Sequence, residues 1–206
     1  MSRMEFSQKN APARSGQSLV EVIIALAIIS SAVVAALTLT VSSLSAQKSN
    51  EGWVIGGNLA REGIEVVRNM RDSNWLAGRV WNDGLVGPEP DTDHTAVPVF
   101  DPETGGWTID FSVDGIGEES ASVWRLLGGH PGIMVQAAAR PEGTVPSGFR
   151  RIIYLHPVCA DQSVLESGTC PPGNPQAGLS VTSHVTWSVS GRSPKAEMTV
   201  VLYDWR

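Results

Sequence analysis

Three groups of residues in this chain of 206 are of a type and spacing that could do chemistry. Glu21 stands alone at the head of a long apolar run, and from Val22 to Gln47 there is no Asp, Glu, Lys, Arg or His. An ionised carboxylate in apolar surroundings costs free energy unless it has a partner, so its presence reads as functional. The plainer alternative is a side chain that snorkels to the headgroups of a bilayer. Cys159 and Cys170 enclose "ADQSVLESGT" and precede "PPGNP", and His156 lies three residues before Cys159. That His and Cys could act as base and nucleophile. An even cysteine count in a segment facing outward favours a disulfide instead, worth roughly 3 kcal/mol for such a loop, with two free buried thiols as the alternative. Asp91, in "DTDH", and Asp101 offer oxygens to calcium, but the ligand ladder and fixed Gly of a calcium loop are missing. The cysteine spacing matches no zinc pattern. No G-x-S-x-G, H-E-x-x-H, P-loop or G-x-G-x-x-G occurs, and His94, His130, His156 and His184 are scattered singly. We expect no enzyme, no metal and no cofactor.

The elements that must position these residues begin with a helix. Leu19 to about Val41 is long enough to cross a hydrocarbon core, which takes roughly 20 apolar residues, and it contains no Pro or Gly. Ser30, Ser31, Thr38 and Thr40 are tolerable there because a hydroxyl can bond back to a carbonyl of the preceding turn. A core helix of a soluble protein is the bland alternative, although buried helices seldom carry so long an uncharged run. The preceding residues hold Arg3, Lys9 and Arg14 against Glu5, which leaves the N-terminus in the cytoplasm and sends the rest outward. A cleaved secretory signal has a shorter apolar core and would be cut at a small-residue site such as "SLSA" ending at Ala46.

Gly16-Gln17-Ser18-Leu19-Val20-Glu21, after a short basic leader and before an uncharged helix, resembles the class III signal of type IV pilins and of the pseudopilins of type II secretion. The resemblance covers Gly16–Ser43. It implies that prepilin peptidase cuts after Gly16 and methylates Gln17, and that the helix is retained. It also implies that Glu21 registers an incoming subunit by pairing with an N-terminal amine. An unpaired buried charge penalises every wrong register, so such a pair aligns more than it binds. Gln17 stands where the family usually has Phe, and Thr38 where many pilins have a helix-loosening Pro. Ala25, Ala27, Ala32, Ala35 and Ala36 would let helices approach closely in lipid; good helix propensity accounts for the same residues.

Beyond Lys48 the helical pattern turns amphipathic. Ile55, Leu59, Val66 and Met70 recur at helical spacing, with Arg61, Glu62, Glu65, Arg68 and Arg71 assigned to the opposite, solvated face. Gly56-Gly57 and Gly63 are expected to weaken or bend this half. The segment "LAREGIEVVRNMRDSNW" resembles the post-span segment of a subgroup of bacterial pilin-like proteins. "GLVGPEPDTDHTAVPVFDPETGG" is rich in Pro, Gly and Asp and reads as a loop. Alternating runs follow at Trp107, Arg150, Leu179 and Ala196, and "SGRSPK" between the last two marks an antiparallel hairpin. "ASVWRLLGGHPGIMVQ" reads as mixed loop and short strand. The fold class is therefore α+β and pilin-like, a long N-terminal helix with a small antiparallel β head. Its parts are a basic leader (1–16), a transmembrane and assembly half (17–47), an amphipathic half (48–76), a loop (77–106) and the β head (107–206).

The net charge of −6 argues against a broad nucleic-acid surface. Removing the leader takes three basic and one acidic residue, leaving 12 basic and 20 acidic residues and a formal charge of −8, with a patch at Arg150-Arg151 the exception to consider. The resemblance implies a structural subunit, read as a minor pilin of a type IV pilus or related filament. Its partners would be other pilin subunits through the N-terminal helix, prepilin peptidase and the membrane. It would sit in the cytoplasmic membrane, a single pass with the N-terminus inside, and then in a filament with the head outside. A pseudopilin of a type II secretion or DNA-uptake system is the alternative, and a single-pass anchored binding protein or enzyme is the third reading.

Overall fold

The computed structural model describes residues 15–90, 94–101, 105–127, 133–189 and 191–204. Arg3, Glu5, Lys9, Arg14, Asp91 and His130 lie outside them, so the leader's charge pattern and the Asp91 calcium reading carry no structural account. One helix, α1, spans Ser15–Leu76. Seven strands follow: β1 Thr95–Asp101, β2 Gly106–Asp110, β3 Ser122–Leu126, β4 Met134–Gln136, β5 Thr144–Cys159, β6 Gln176–Trp187 and β7 Lys195–Tyr203. The chain divides into two units, Met1–Lys48 and Ser49–Arg206.

In the first unit, α1 leaves every side chain from Leu19 to Leu44 exposed. Ser31 Oγ donates to the Ile28 carbonyl (2.8 Å), Thr38 Oγ1 to Val34 (2.9 Å) and Thr40 Oγ1 to Ala36 (2.8 Å). These hydroxyls are thus satisfied within the helix, as an apolar solvent demands.

In the second unit the rest of α1 packs on an antiparallel sheet. Strand β5 is its axis: β6 runs along one edge from Phe149↔Trp187 to Cys159↔Gln176, and the other edge is shared by β3 and β1. β7 flanks β6, β2 flanks β1 and β4 flanks β3. The apolar content of β5 is high because both its faces are covered. Ile153 and Leu155 join Ile64, Val67, Trp75, Leu179 and Val181 on the helix side, while Ile152 packs with Val97, Val113 and Ala121 on the other. In the β6–β7 hairpin Val181 faces Val200, Ser183 faces Met198 and Val185 faces Ala196. The runs at Leu179 and Ala196 therefore meet across the ladder as the antiparallel hairpin read from the sequence.

α1 stops at Leu76 in a Schellman arrangement. Gly78, at φ +68°, gives its N–H to Trp75 O (3.0 Å), and Arg79 gives its own to Asn74 O (2.9 Å). The Asn74 side chain then donates to the carbonyls of Trp81 (3.1 Å) and Asp83 (2.8 Å), fixing the chain's exit. The loop expected over 77–106 is shorter than its composition suggests, because Thr95–Asp101 is a strand. Pro98 has no N–H to give; pairing with β5 ends at Ala96 while pairing with β2 continues to Asp101.

Candidate functional site

The residues singled out at the N-terminus all fall on α1. Gly16 and Gln17 lie in its first turn. Glu21 is exposed on the helix and has no hydrogen bond or ion pair with the described residues. A carboxylate at the head of an exposed apolar surface can accept a cationic partner.

Residues 12–37 match the family model described as the prokaryotic N-terminal methylation motif. No curated protein and no solved structure matches the chain. The protein thus carries the signal of type IV pilins and pseudopilins, and that signal heads a pilin-like α+β fold, a long N-terminal apolar helix packed against an antiparallel β-sheet. The motif implies processing by prepilin peptidase and assembly with pilins, and with the apolar helix it points to a membrane or a pilus.

What holds the second half of α1 on the sheet was only partly visible in the sequence. Gly52, Gly56 and Gly63 line the buried face of the helix. A Cβ on Gly52 would fall 2.6 Å from Trp187 Nε1, one on Gly56 2.5 Å from the same indole, and one on Gly63 2.5 Å from Ser183 Oγ. These glycines let the helix approach β6 closely. Gly57, expected to act with Gly56, faces open space. The spacing of four and then seven residues, which keeps one helical face, was the available signal.

Arg151 is the polar counterpart of this contact. It is 1% exposed, and its guanidinium donates to Gln136 Oε1 (2.9 Å) and to the Leu59 carbonyl of α1 (3.1 Å), with Glu62 Oε1 at 3.3 Å. Gln136 completes the set by donating to the carbonyls of Ser120 (3.2 Å) and Arg151 itself (2.8 Å). Burial pulls the Arg151 pKa down and the Glu62 charge opposes that, but a guanidinium stays charged in a protein. The network therefore locks a permanent cation between helix and sheet. Alternation along β5 puts Arg151 on the face of Ile153 and Leu155, a signal that its reading as part of a surface patch passed over. Arg150 donates to the carbonyls of Ile116 (3.1 Å) and Glu118 (3.0 Å). The Arg150-Arg151 patch considered for nucleic acid is accordingly engaged within the fold.

Arg71, expected on the solvated face, is buried. Its guanidinium carbon lies 4.6 Å from the Trp75 ring centroid, and it pairs with Asp72 at 2.9 Å and with the Tyr203 carbonyl at 3.4 Å. Arg68 does sit at the surface, paired with Glu65 at 2.6 Å.

Cys159 and Cys170 form a disulfide with Cα atoms 5.7 Å apart. Cys159 therefore has no thiolate to offer, and the reading with His156 as its base falls. His156 lies 3.7 Å from Glu166 through Nε2 and packs at 5.4 Å against the His94 ring. His94 Nδ1 meets the Leu155 carbonyl at 3.2 Å. His184 lies 3.9 Å from Glu197. Inside the disulfide loop, Ser163 Oγ (2.6 Å) and Ser163 N (3.0 Å) donate to Asp161 Oδ1, and these bonds with Asn174 hold the carboxyl down to about 2.

Proposed function

We propose that this protein is a structural subunit, a minor pilin of a type IV pilus or related filament. It is cut by prepilin peptidase after Gly16, methylated on Gln17 and assembled through α1. The observation that carries the reading is the conjunction of the methylation motif at residues 12–37 with a helix whose apolar side chains from Leu19 to Leu44 are exposed. A subunit that exchanges lipid for neighbouring helices needs such a surface in both states. Small residues such as Ala25, Ala32 and Ala36 favour close approach between helices. Glu21 would then pair with the Gln17 amine of a neighbouring subunit in the assembled filament.

Mass spectrometry of the mature chain tests the processing. A polypeptide beginning at Gln17, carrying one methyl group, is the expected product; an intact Met1 or a start near Gln47 overturns the reading. Glu21→Ala removes a side chain with no partner among the described residues, so membrane insertion should persist while incorporation into the filament is lost. Normal incorporation would remove Glu21 from its assigned role. A pseudopilin shares the same signal, and electron microscopy for long surface fibres separates the two.

A further inference from the structure

One end of the sheet unit combines exposed apolar side chains with basic ones. Trp53 on α1 is 51% exposed and stands edge-on to Trp187, with ring centroids 5.1 Å apart. Trp187 lies opposite Phe149, which places α1's Trp53 at the end of the sheet where β5 begins. At that same end Leu126 pairs with Thr144 and Arg125 with Val145, so Leu127, 60% exposed, and the exposed Ile133 emerge beside them. The β6–β7 turn is there as well, closed by Val189↔Arg192 and Thr186↔Lys195. Exposed Arg125, Arg140, Arg192 and Lys195 lie at this end, Arg140 also donating to the Thr144 carbonyl (2.6 Å) and Lys195 standing 3.5 Å from Glu197, with Glu51 and Glu142 the other carboxylates there among the described residues.

The opposite end also exposes apolar groups, Leu76, Val80, Val164 and Tyr203, but among Asp83, Glu89, Asp161, Glu166 and Asp204, with Arg79 the exposed cation there among the described residues and Arg71 buried. An anionic surface would repel that end and accept the first. Trp is the side chain that best tolerates the boundary between hydrocarbon and water, and Lys and Arg beside a span are drawn to anionic headgroups. Trp53 comes six residues after Gln47, the last of the uncharged run, so chain connectivity alone keeps it within reach of the headgroup layer.

We infer that this end of the head is a lipid-docking surface: Trp53, Leu127 and Ile133 enter the headgroup layer of the membrane, and Arg125, Arg140, Arg192 and Lys195 meet anionic lipid phosphates. The inference rests on the membrane-anchored reading above. It gives the unassembled subunit a parked state, seated on the bilayer, that extraction into a filament must break.

The two cysteines of the sequence are joined in the disulfide, so an introduced cysteine is the unique thiol for labelling. Leu127→Cys, Val164→Cys and Leu37→Cys, each at an exposed position, would carry a nitroxide in the full chain reconstituted, one copy per nanodisc, in phosphatidylcholine or in phosphatidylglycerol. In phosphatidylglycerol the Leu127 label should show a several-fold loss of collisions with a water-soluble nickel chelate and a gain with oxygen, while the Val164 label stays aqueous. Arg192→Glu with Lys195→Glu should abolish that difference. A Leu127 label that remains aqueous in both lipids, with the Leu37 label lipid-exposed, overturns the docking surface and leaves the span intact. Aqueous labels at both Leu127 and Leu37 overturn the anchored reading itself. Shielding of Leu127 that appears only with several copies per disc assigns this end to a second copy of the chain and refutes the lipid surface.

Discussion

Two adjacent glycines offer a sharp test of how α1 is seated. Gly56 and Gly57 occupy the same helix, so replacing either with Ala brings the same gain in helix propensity, about 1 kcal/mol. Their surroundings differ. At Gly57 a new Cβ meets nothing within 4 Å, whereas at Gly56 it falls 2.5 Å from one Trp187 ring carbon and 3.0 Å from two others. Trp187 is itself buried among Leu59, Val123, Phe149 and Val185, so the indole has nowhere easy to go. Overpacking of this kind costs about 1–3 kcal/mol. Gly57→Ala should therefore stabilise by up to about 1 kcal/mol, and Gly56→Ala should be neutral to about 2 kcal/mol destabilising, the two differing by about 1–3 kcal/mol. For a unit of this size that separates the midpoints by roughly 2–12 °C in a thermal melt followed by near-UV circular dichroism of the detergent-solubilised chain. Trp187→Ala supplies the internal control. With the indole gone, Gly56→Ala should recover the gain seen at Gly57, a coupling that a double-mutant cycle reads directly. If Gly56→Ala and Gly57→Ala shift the midpoint equally in the same direction, the close approach of α1 to Trp187 is wrong.

The remaining predictions concern the polar lock and the distal loop. Glu62→Gln leaves the Arg151 guanidinium buried without its carboxylate and should cost about 1–3 kcal/mol in urea unfolding; an unchanged midpoint would mean that Gln136 and the Leu59 carbonyl suffice. Arg151→Ala should cost more, approaching the roughly 3–5 kcal/mol of a broken buried pair but falling short because Glu62 can regain water. Replacing both Cys159 and Cys170 with Ser should lower stability by roughly 3 kcal/mol in the same assay, and a wild-type melt would show that the loop is held by its other bonds. The Asp161 carboxyl is held low, so its bonds contribute fully above the ordinary value of 3.8 and are lost as pH falls through about 2. Carbon-detected titration should place its midpoint near 2, and Ser163→Ala should raise it; a midpoint near 3.8 in the unmodified chain would contradict the loop geometry.

The parts of this fold that the sequence made legible are those where one physical demand acts alone. The run from Leu19 to Leu44 is exposed along its whole length and uncharged after Glu21, and an uncharged stretch of that length suits a bilayer far better than a globular core. The β6–β7 hairpin was readable because Val181 and Val185 alternate with the polar Thr182, His184 and Thr186, and because the turn residues mark the reversal. Legibility failed where two demands met in one residue. A glycine in a helix lowers propensity everywhere, so composition treats Gly52, Gly56, Gly57 and Gly63 alike, and only the position of Trp187 and Ser183 across the interface distinguishes those that permit contact. Arg71 and Arg151 read as surface charge because charge is usually solvated, yet each reaches a backbone carbonyl that the folded chain brings to it from far along the sequence. Thr95–Asp101 was hidden by Pro98 and its acidic flanks, although Ala96 and Val97 are completely buried there. In each case the missing information was the identity of a partner distant in sequence. Glu21 is the extreme instance of the same dependence: no described residue answers its charge, and the pairing proposed for it depends on a neighbour that a single chain does not contain.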